Sequence, residues 1–301
     1  MIKLKTAGLA VTFAALLPLA QAKTVTHAQG TTEIDAVPEK IIALDLAAVD
    51  TLNTLGVEIT GLPKPHAYDY LEKFTGDQYT SVGSFWEPDF ETIAALQPDL
   101  IVIGGRSQKQ YKAMSKIAPT VDATVWNEPF LDQFYSVTEM LADSVDKSAQ
   151  AEAELAAIKA RVEQIKTAPQ NNKNALFILT SGGKISAFGP GSRFGWIHDE
   201  LGIEPTVKDV ETETHGDPIS FEFLQKVNPD MIFVMDRDAA IGQDSQAAKA
   251  LLDNELVHQL TAYKNDDITF LNGYSWYMVA YGLTAMNNML DEIETALGID
   301  Q

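Results

Sequence analysis

The chain predicts an α/β protein of two similar lobes, each with a central sheet flanked by helices, joined by a long helix and leaving a ligand cleft between the lobes. Three observations carry this. The stretch PDFETIAALQPDLIVIGGR, residues 88 to 106, is written a second time without a gap as ISFEFLQKVNPDMIFVMDR, residues 219 to 237. Short apolar runs that suit buried strands alternate with helical patterns in both halves. Between the halves, residues 130 to 166 keep helical character with almost no breaker.

In the repeat Glu91 falls on Glu222, Pro98 on Pro229, Asp99 on Asp230, Ile101 on Ile232 and Arg106 on Arg237. Each copy predicts a short helix opened by a polar cap (Asp89, Ser220), a Gln/Asn-Pro-Asp turn that stops it, and a buried strand followed by an arginine. A pattern found twice points to duplicated lobes, since solenoids show three or more copies at shorter period. In open α/β sheets ligands collect beyond the carboxyl ends of the strands, and there the pattern sets Arg106 and Arg237.

Taken in order, the first 22 residues have a basic start (Lys3, Lys5), an apolar run from Ala7 to Ala20 and the small-x-small site Ala20-Gln21-Ala22. They predict a secretory signal peptide cleaved after Ala22, and hence a periplasmic protein. The apolar run is shorter than the ~20 residues of a spanning helix, so a soluble, not membrane-spanning, mature chain is expected. Residues 23 to 140 make the N-terminal lobe, with KIIAL (40 to 44) as a strand and AAVDTLNTLG (47 to 56) as a helix closed by Gly56. Residues 141 to 170 make the connecting helix. Unbroken from Phe130 it would run ~50 Å, so a break is expected near residues 144 to 147. Its wealth of Ala, Glu and Lys suits a rigid spacer. Residues 171 to 301 make the C-terminal lobe, where ALFILT (175 to 180) matches KIIAL and WIHDELGIE echoes DTLNTLGVE. ITFLN (268 to 272) is the last strand, and the stretch from Trp276 predicts a closing helix packed on the sheet.

The 301 residues, 46% hydrophobic, suffice for two domains. Cysteine is absent, which removes disulfides, thiolate metal sites and a lipid anchor, Lys23 standing where a lipidated cysteine would. The formal charge of −20 excludes nucleic acid as a partner, and an anionic ligand must then be held by a local cluster of cations. Only four of the 22 basic residues are arginines. Arg161 sits in a charged helix, whereas Arg106, Arg193 and Arg237 follow strands or lie in a glycine loop.

The pattern ExIxxLxPDLI, with the two lobes, the long helix and the signal peptide, resembles the periplasmic substrate-binding proteins of ABC importers for siderophores, haem and cobalamin, the class III family with a helical backbone. The stretches GGR (104 to 106), GPGSRFGWIHDELG (189 to 202), THGDPISFEF (214 to 223), MDR (235 to 237) and SWYMVAYGL (275 to 283) resemble the ferric catecholate branch. The resemblance implies a carrier, not an enzyme, that delivers a ferric catecholate siderophore to an inner-membrane ABC permease. It implies that Arg106, Arg193 and Arg237 surround the anionic complex, that His215 and Tyr277 approach the iron, with Trp276 beside them, and that Glu91 and Glu222 dock on the permease. Fe(III) comes as part of the siderophore complex, no cofactor is permanently bound, and a monomer is expected. Relatives tend to carry a glycine-rich run where this chain has YMVAYGL, so Tyr274 or Tyr281 competes for the role of Tyr277.

The chemistry is coherent: a ferric tris-catecholate is a trianion with planar bidentate edges that suit guanidinium, and Fe(III) favours oxygen donors with imidazole acceptable. A haem or cobalamin carrier is the alternative within the superfamily. Zinc or manganese carriage is disfavoured, since His27, His66, His198 and His258 lack metal-ligand spacing. No G-x-S-x-G or H-E-x-x-H motif anchors a hydrolase.

Overall fold

The computed structural model describes residues 22 to 126, 129 to 169, 173 to 210, 216 to 243 and 246 to 299. The expected signal peptide before Ala22 and the candidate ligand His215 lie outside the described residues.

An antiparallel hairpin of β1 (Lys23–His27) and β2 (Gly30–Ile34) opens the described chain. Then come β3 (Ile41–Ala43), α1 (Leu46–Thr54), β4 (Gly61–Leu62), β5 (Thr80–Ser81), α2 (Phe90–Leu96), β6 (Leu100–Ile103), α3 (Tyr111–Met114) and β7 (Thr120–Asp122). The strands form a parallel sheet ordered β5-β4-β3-β6-β7, whose order reverses between β3 and β6. Two helices follow, α4 (Phe130–Ser144) and α5 (Ser148–Thr167). The second lobe holds β8 (Asn174–Ser181), β9 (Lys184–Phe188), α6 (Trp196–Asp199), β10 (Glu204–Pro205), β11 (Asp217–Ile219), α7 (Phe221–Val227), β12 (Met231–Asp236), α8 (Arg237–Ala240), α9 (Ala247–Leu252), α10 (Thr261–Lys264) and β13 (Ile268–Leu271). Here β8, β12 and β13 run parallel, β9 folds back antiparallel on β8, and the order reverses between β8 and β12.

The duplicated stretch builds the same unit in both sheets. Asp89 caps α2 by accepting from the Thr92 N–H, as Ser220 caps α7 by accepting from that of Phe223. Gln97 and Asn228 end these helices in the left-handed region, with φ of 51° and 43°. The aspartate after each proline then ties its strand to the central one. Asp99 accepts from the N–H of Glu39 and Lys40 ahead of β3, and Asp230 from that of Asn174 at the start of β8. β6 and β12 are buried throughout, so their carboxyl ends deliver Arg106 and Arg237 to the two switch points.

The expected break after α4 falls where Asp146 turns into the left-handed region, at φ 59°. The helix beyond it, α5, is more than a spacer. Ala151, Leu155, Ile158, Val162 and Ile165 make a buried stripe alternating four and three residues apart, which packs α5 against α4 and the closing helix. Arg161, on the same helix, donates to Asp291, Glu294 and Asn287.

The closing segment also departs from the single helix expected from Trp276. Tyr274–Val279 forms a π-helical turn, and Ala280 then takes a positive φ of 65° with ψ −74°. The Tyr281 N–H bonds back to Val279 O at 2.9 Å, closing a strained γ-turn. Only afterwards does α11 (Leu283–Leu297) begin. The break lets Gly282 pass close to α1, where any side chain would strike the Asp50 carboxylate.

The largest core lies between the two sheets and is shared by the lobes: Leu52 of α1, Phe134 of α4, Ile158 of α5 and Leu290 of α11 all belong to it. Smaller cores back the outer faces, around Ile101 in one lobe and Ile232 in the other. Each lobe also caps a helix across the interface. Asp50 of α1 accepts from the Ala285 N–H of α11 at 2.9 Å, while Glu200 after α6 accepts from Phe130 and Leu131 at the start of α4, at 2.6 and 3.0 Å.

Candidate ligand-binding site

Three of the four arginines converge on one tyrosine. Arg106, beyond β6, crosses from the first lobe and donates Nη2 to Tyr277 O at 2.6 Å and Nη1 to Met278 O at 2.9 Å. Arg193, in the loop between β9 and α6, donates to the same Tyr277 O at 3.1 Å. Arg237 donates Nε to the Tyr277 hydroxyl at 3.1 Å. The guanidinium carbons stand 5.9, 4.5 and 5.7 Å from the Tyr277 ring centre. The reason is local: the π-helical turn ends at Val279, so its last carbonyls lack the amide partners that a continuing helix would supply, and the arginines take their place.

The charges are unbalanced. Among the described residues no carboxylate forms an ion pair with Arg106, Arg193 or Arg237, whereas Arg161 is paired with both Asp291 and Glu294. Burial, joined by repulsion from Arg106, brings the Arg193 guanidinium down to about 10, still protonated at neutral pH. Burial pushes the Tyr277 phenol up, but the hydrogen bond from Arg237 and the fields of all three arginines outweigh it and hold the group below its ordinary value.

The competing tyrosines are placed differently. Burial raises both. The Tyr274 hydroxyl donates to His66 O at 3.0 Å, and that of Tyr281 to Asp45 Oδ2 at 3.0 Å. Asp45 caps α1 through the Ala48 N–H, and burial raises its carboxyl. Gly104 makes room for it, since a Cβ there would fall on the carboxylate.

A cavity of about 240 Å³ opens beside this cluster, lined by Arg106, Arg193, Tyr277 and all four tryptophans of the chain. Trp276 is only 1% exposed, donates its indole N–H to Glu292 and stacks on Trp196, so it forms a wall with its polar group already used. Arg237 reaches the site through the Tyr277 hydroxyl rather than through the cavity lining. Among the lining residues that escaped the sequence reading are Trp86 and Trp126 of the first lobe, 59% and 48% exposed. Neither lies in a periodic stretch, and exposure was the missing signal. Glu91 and Glu222 stand apart, exposed in the first turns of α2 and α7.

Two α/β lobes on a shared core, with a cationic aromatic cavity beside the carboxyl ends of their strands, are the architecture of a substrate-binding protein. The chain belongs to the periplasmic binding protein family, whose model matches residues 41–274. That family consists of substrate-binding proteins, not enzymes. The chain is 40% identical over 269 residues to the petrobactin-binding protein YclQ of Bacillus subtilis, covering 88% of this chain and 84% of that one. Against the YclQ crystal structure the TM-score is 0.87, with 92% and 99% of the two chains covered. PiuA of Streptococcus pneumoniae, an iron uptake ABC transporter substrate-binding protein, gives 0.86 at 34% identity over 92% and 99% of the chains. The periplasmic catecholate-siderophore binding protein VctP of Vibrio cholerae gives 0.84 at 31% identity over 91% and 100%. Among the described residues no helix is long and apolar enough to cross a membrane.

Proposed function

We propose that this chain is a monomeric periplasmic carrier, released by signal cleavage after Ala22, that captures a ferric catecholate siderophore and hands it to an inner-membrane ABC permease. The observation that carries the reading is the set of three guanidiniums that, among the described residues, form no ion pair with a carboxylate, gathered in a chain of formal charge −20. Such a cluster has a net positive charge to offer, and a trianionic complex with planar oxygen edges matches it in charge and geometry. The likeness to YclQ and VctP, named for petrobactin and catecholate siderophores, supports the same ligand class.

In this reading Arg106, Arg193 and Arg237 neutralise the complex. The Tyr277 oxygen, polarised by Arg237, and His215 complete iron coordination when the siderophore supplies four oxygens instead of six. Glu91 and Glu222, equivalent in the two lobes, meet basic residues of the permease.

Fluorescence titration tests the reading directly, because every tryptophan lines the cavity. Ferric bis- and tris-catecholates are expected to quench the emission. Binding of haem or cobalamin with no response to any ferric catecholate would overturn it. Tyr277→Phe is expected to weaken the tetradentate complex far more than the hexadentate one and to shift its charge-transfer band. Equal losses would remove Tyr277 from the iron.

A further inference from the structure

We propose that Trp86 and Trp126 form an aromatic clamp at the cleft mouth that stacks on the flat rings of the ligand, and that this pair supplies the preference for aromatic chelates that the arginines cannot. The proposal rests on the reading of the ligand as a catecholate and goes further by assigning its selectivity.

Guanidinium groups answer to charge and to paired oxygens, so a carboxylate chelate of the same charge satisfies Arg106, Arg193 and Arg237 as a catecholate does. Discrimination needs a group that senses the ring. The chain has four tryptophans, all on this cavity, in two distinct conditions. Trp196 and Trp276, each 1% exposed, are stacked on one another at 5.6 Å and 26°. Trp86 and Trp126 are 59% and 48% exposed, among the few large apolar side chains the described residues leave open to water. An exposed indole forgoes burial of a large apolar surface.

Both are held in place before any ligand arrives. Trp86 stands edge-on to Phe85 at 5.6 Å and 87°, and edge-on to His66 at 5.8 Å and 86°. Phe85 and His66 are themselves stacked at 4.6 Å. The backbone of Trp126 is fixed by donation to Gln133 Oε1 at 3.0 Å, and its ring lies over Gly105, which carries no side chain to crowd it. The Arg193 guanidinium lies over the Trp126 ring, 6.0 Å from its centre, so the indole and the cation build one wall of the cavity together. A preorganised aromatic face of this kind binds a planar ring without an ordering penalty.

The test compares Trp86→Leu and Trp126→Leu, which keep apolar bulk, with Trp86→Phe and Trp126→Phe, which keep an aromatic face. Affinities are read by equilibrium dialysis, using the visible absorption of a ferric hexadentate tris-catecholate and an iron assay for ferric tris-oxalate, an equally charged complex with bidentate oxygens and no ring. Each Leu variant is expected to lose about tenfold for the tris-catecholate, each Phe variant to recover most of it, and the oxalate to be unaffected. Leu variants that bind the catecholate like the parent, or that lose the same factor for oxalate, overturn the clamp. A parent that binds no ferric catecholate overturns the ligand reading instead. Melting curves of the Phe variants identify any loss that comes from unfolding.

Discussion

Replacing Arg193 by glutamine should make the protein more stable and worse at its task. Its guanidinium is brought from 12.5 to about 10 by burial and by Arg106. For a cation held below its unfolded value, the penalty is fully present at neutral pH and is relieved only as the pH rises through 10 towards 12.5. The unpaired, desolvated charge therefore costs the unliganded fold on the order of a few kcal/mol. Glutamine removes the charge and keeps a donor for Tyr277 O. In a chain of this length each kcal/mol moves Tm by at most a few degrees, so Arg193→Gln should melt several degrees higher. The same change removes a charge-assisted bond to the ligand, worth ~1.5 to 3 kcal/mol, or about 10- to 150-fold in Kd. Arg161→Gln provides the opposite case. It breaks a pair with Glu294, whose side chain is 4% exposed, and should cost ~3 to 5 kcal/mol of stability while leaving Kd alone. Thermal melts and fluorescence titrations of the two variants read both quantities. An Arg193→Gln protein that melts below the parent, or binds as tightly, refutes the reasoning.

Other perturbations test separate features. Ala280→Gly removes the Cβ penalty of a positive φ and should add ~1 kcal/mol in chemical denaturation, whereas Ala280→Val should destabilise. Combined Glu91→Lys and Glu222→Lys should abolish uptake by cells with no change in ligand affinity; normal uptake would leave these acids a helix-dipole role alone. Burial raises the Asp50 carboxyl from 3.8 to about 6, against the bonds from Thr284 and Ala285. A carboxyl raised in the fold is stabilising when protonated, so its contribution is present below 3.8 and is lost as the pH rises through 6. Asp50→Asn should therefore gain stability relative to the parent at pH 7, by up to ~3 kcal/mol, and lose that advantage at pH 4. A stability difference independent of pH would show that Asp50 does not titrate in this range.

What the sequence made legible was local chemistry. The polar cap, the proline-aspartate turn, the apolar strand and the arginine behind it are written in consecutive residues, and so both copies of the unit and the placement of Arg106 and Arg237 could be read from them. The strip from Ala151 to Ile165 was equally legible by its spacing, but its charged composition suggested a spacer. The γ-turn at Ala280 could not be read, because Arg106, Asp45 and Asp50, far away in sequence, hold the segment in that shape. Trp86 and Trp126 were missed for a related reason: periodicity identifies buried faces and says nothing of an aromatic residue left open at a cavity mouth.

The core shared between the sheets makes the duplicated halves inseparable. Each half alone would leave the apolar sides of α1, α4, α5 or α11 without a mate and would forfeit the carboxylate that caps its helix from across the interface. Folding is then a single cooperative event, in which neither half is a refuge from which the other can unfold and return. Calorimetry should show one transition whose van't Hoff and calorimetric enthalpies agree, and a chain cut between α5 and β8 should regain structure only when both pieces are present. A ligand gripped by residues of both halves stabilises the whole molecule at once, so occupancy of the cleft is felt as resistance to unfolding everywhere in the chain.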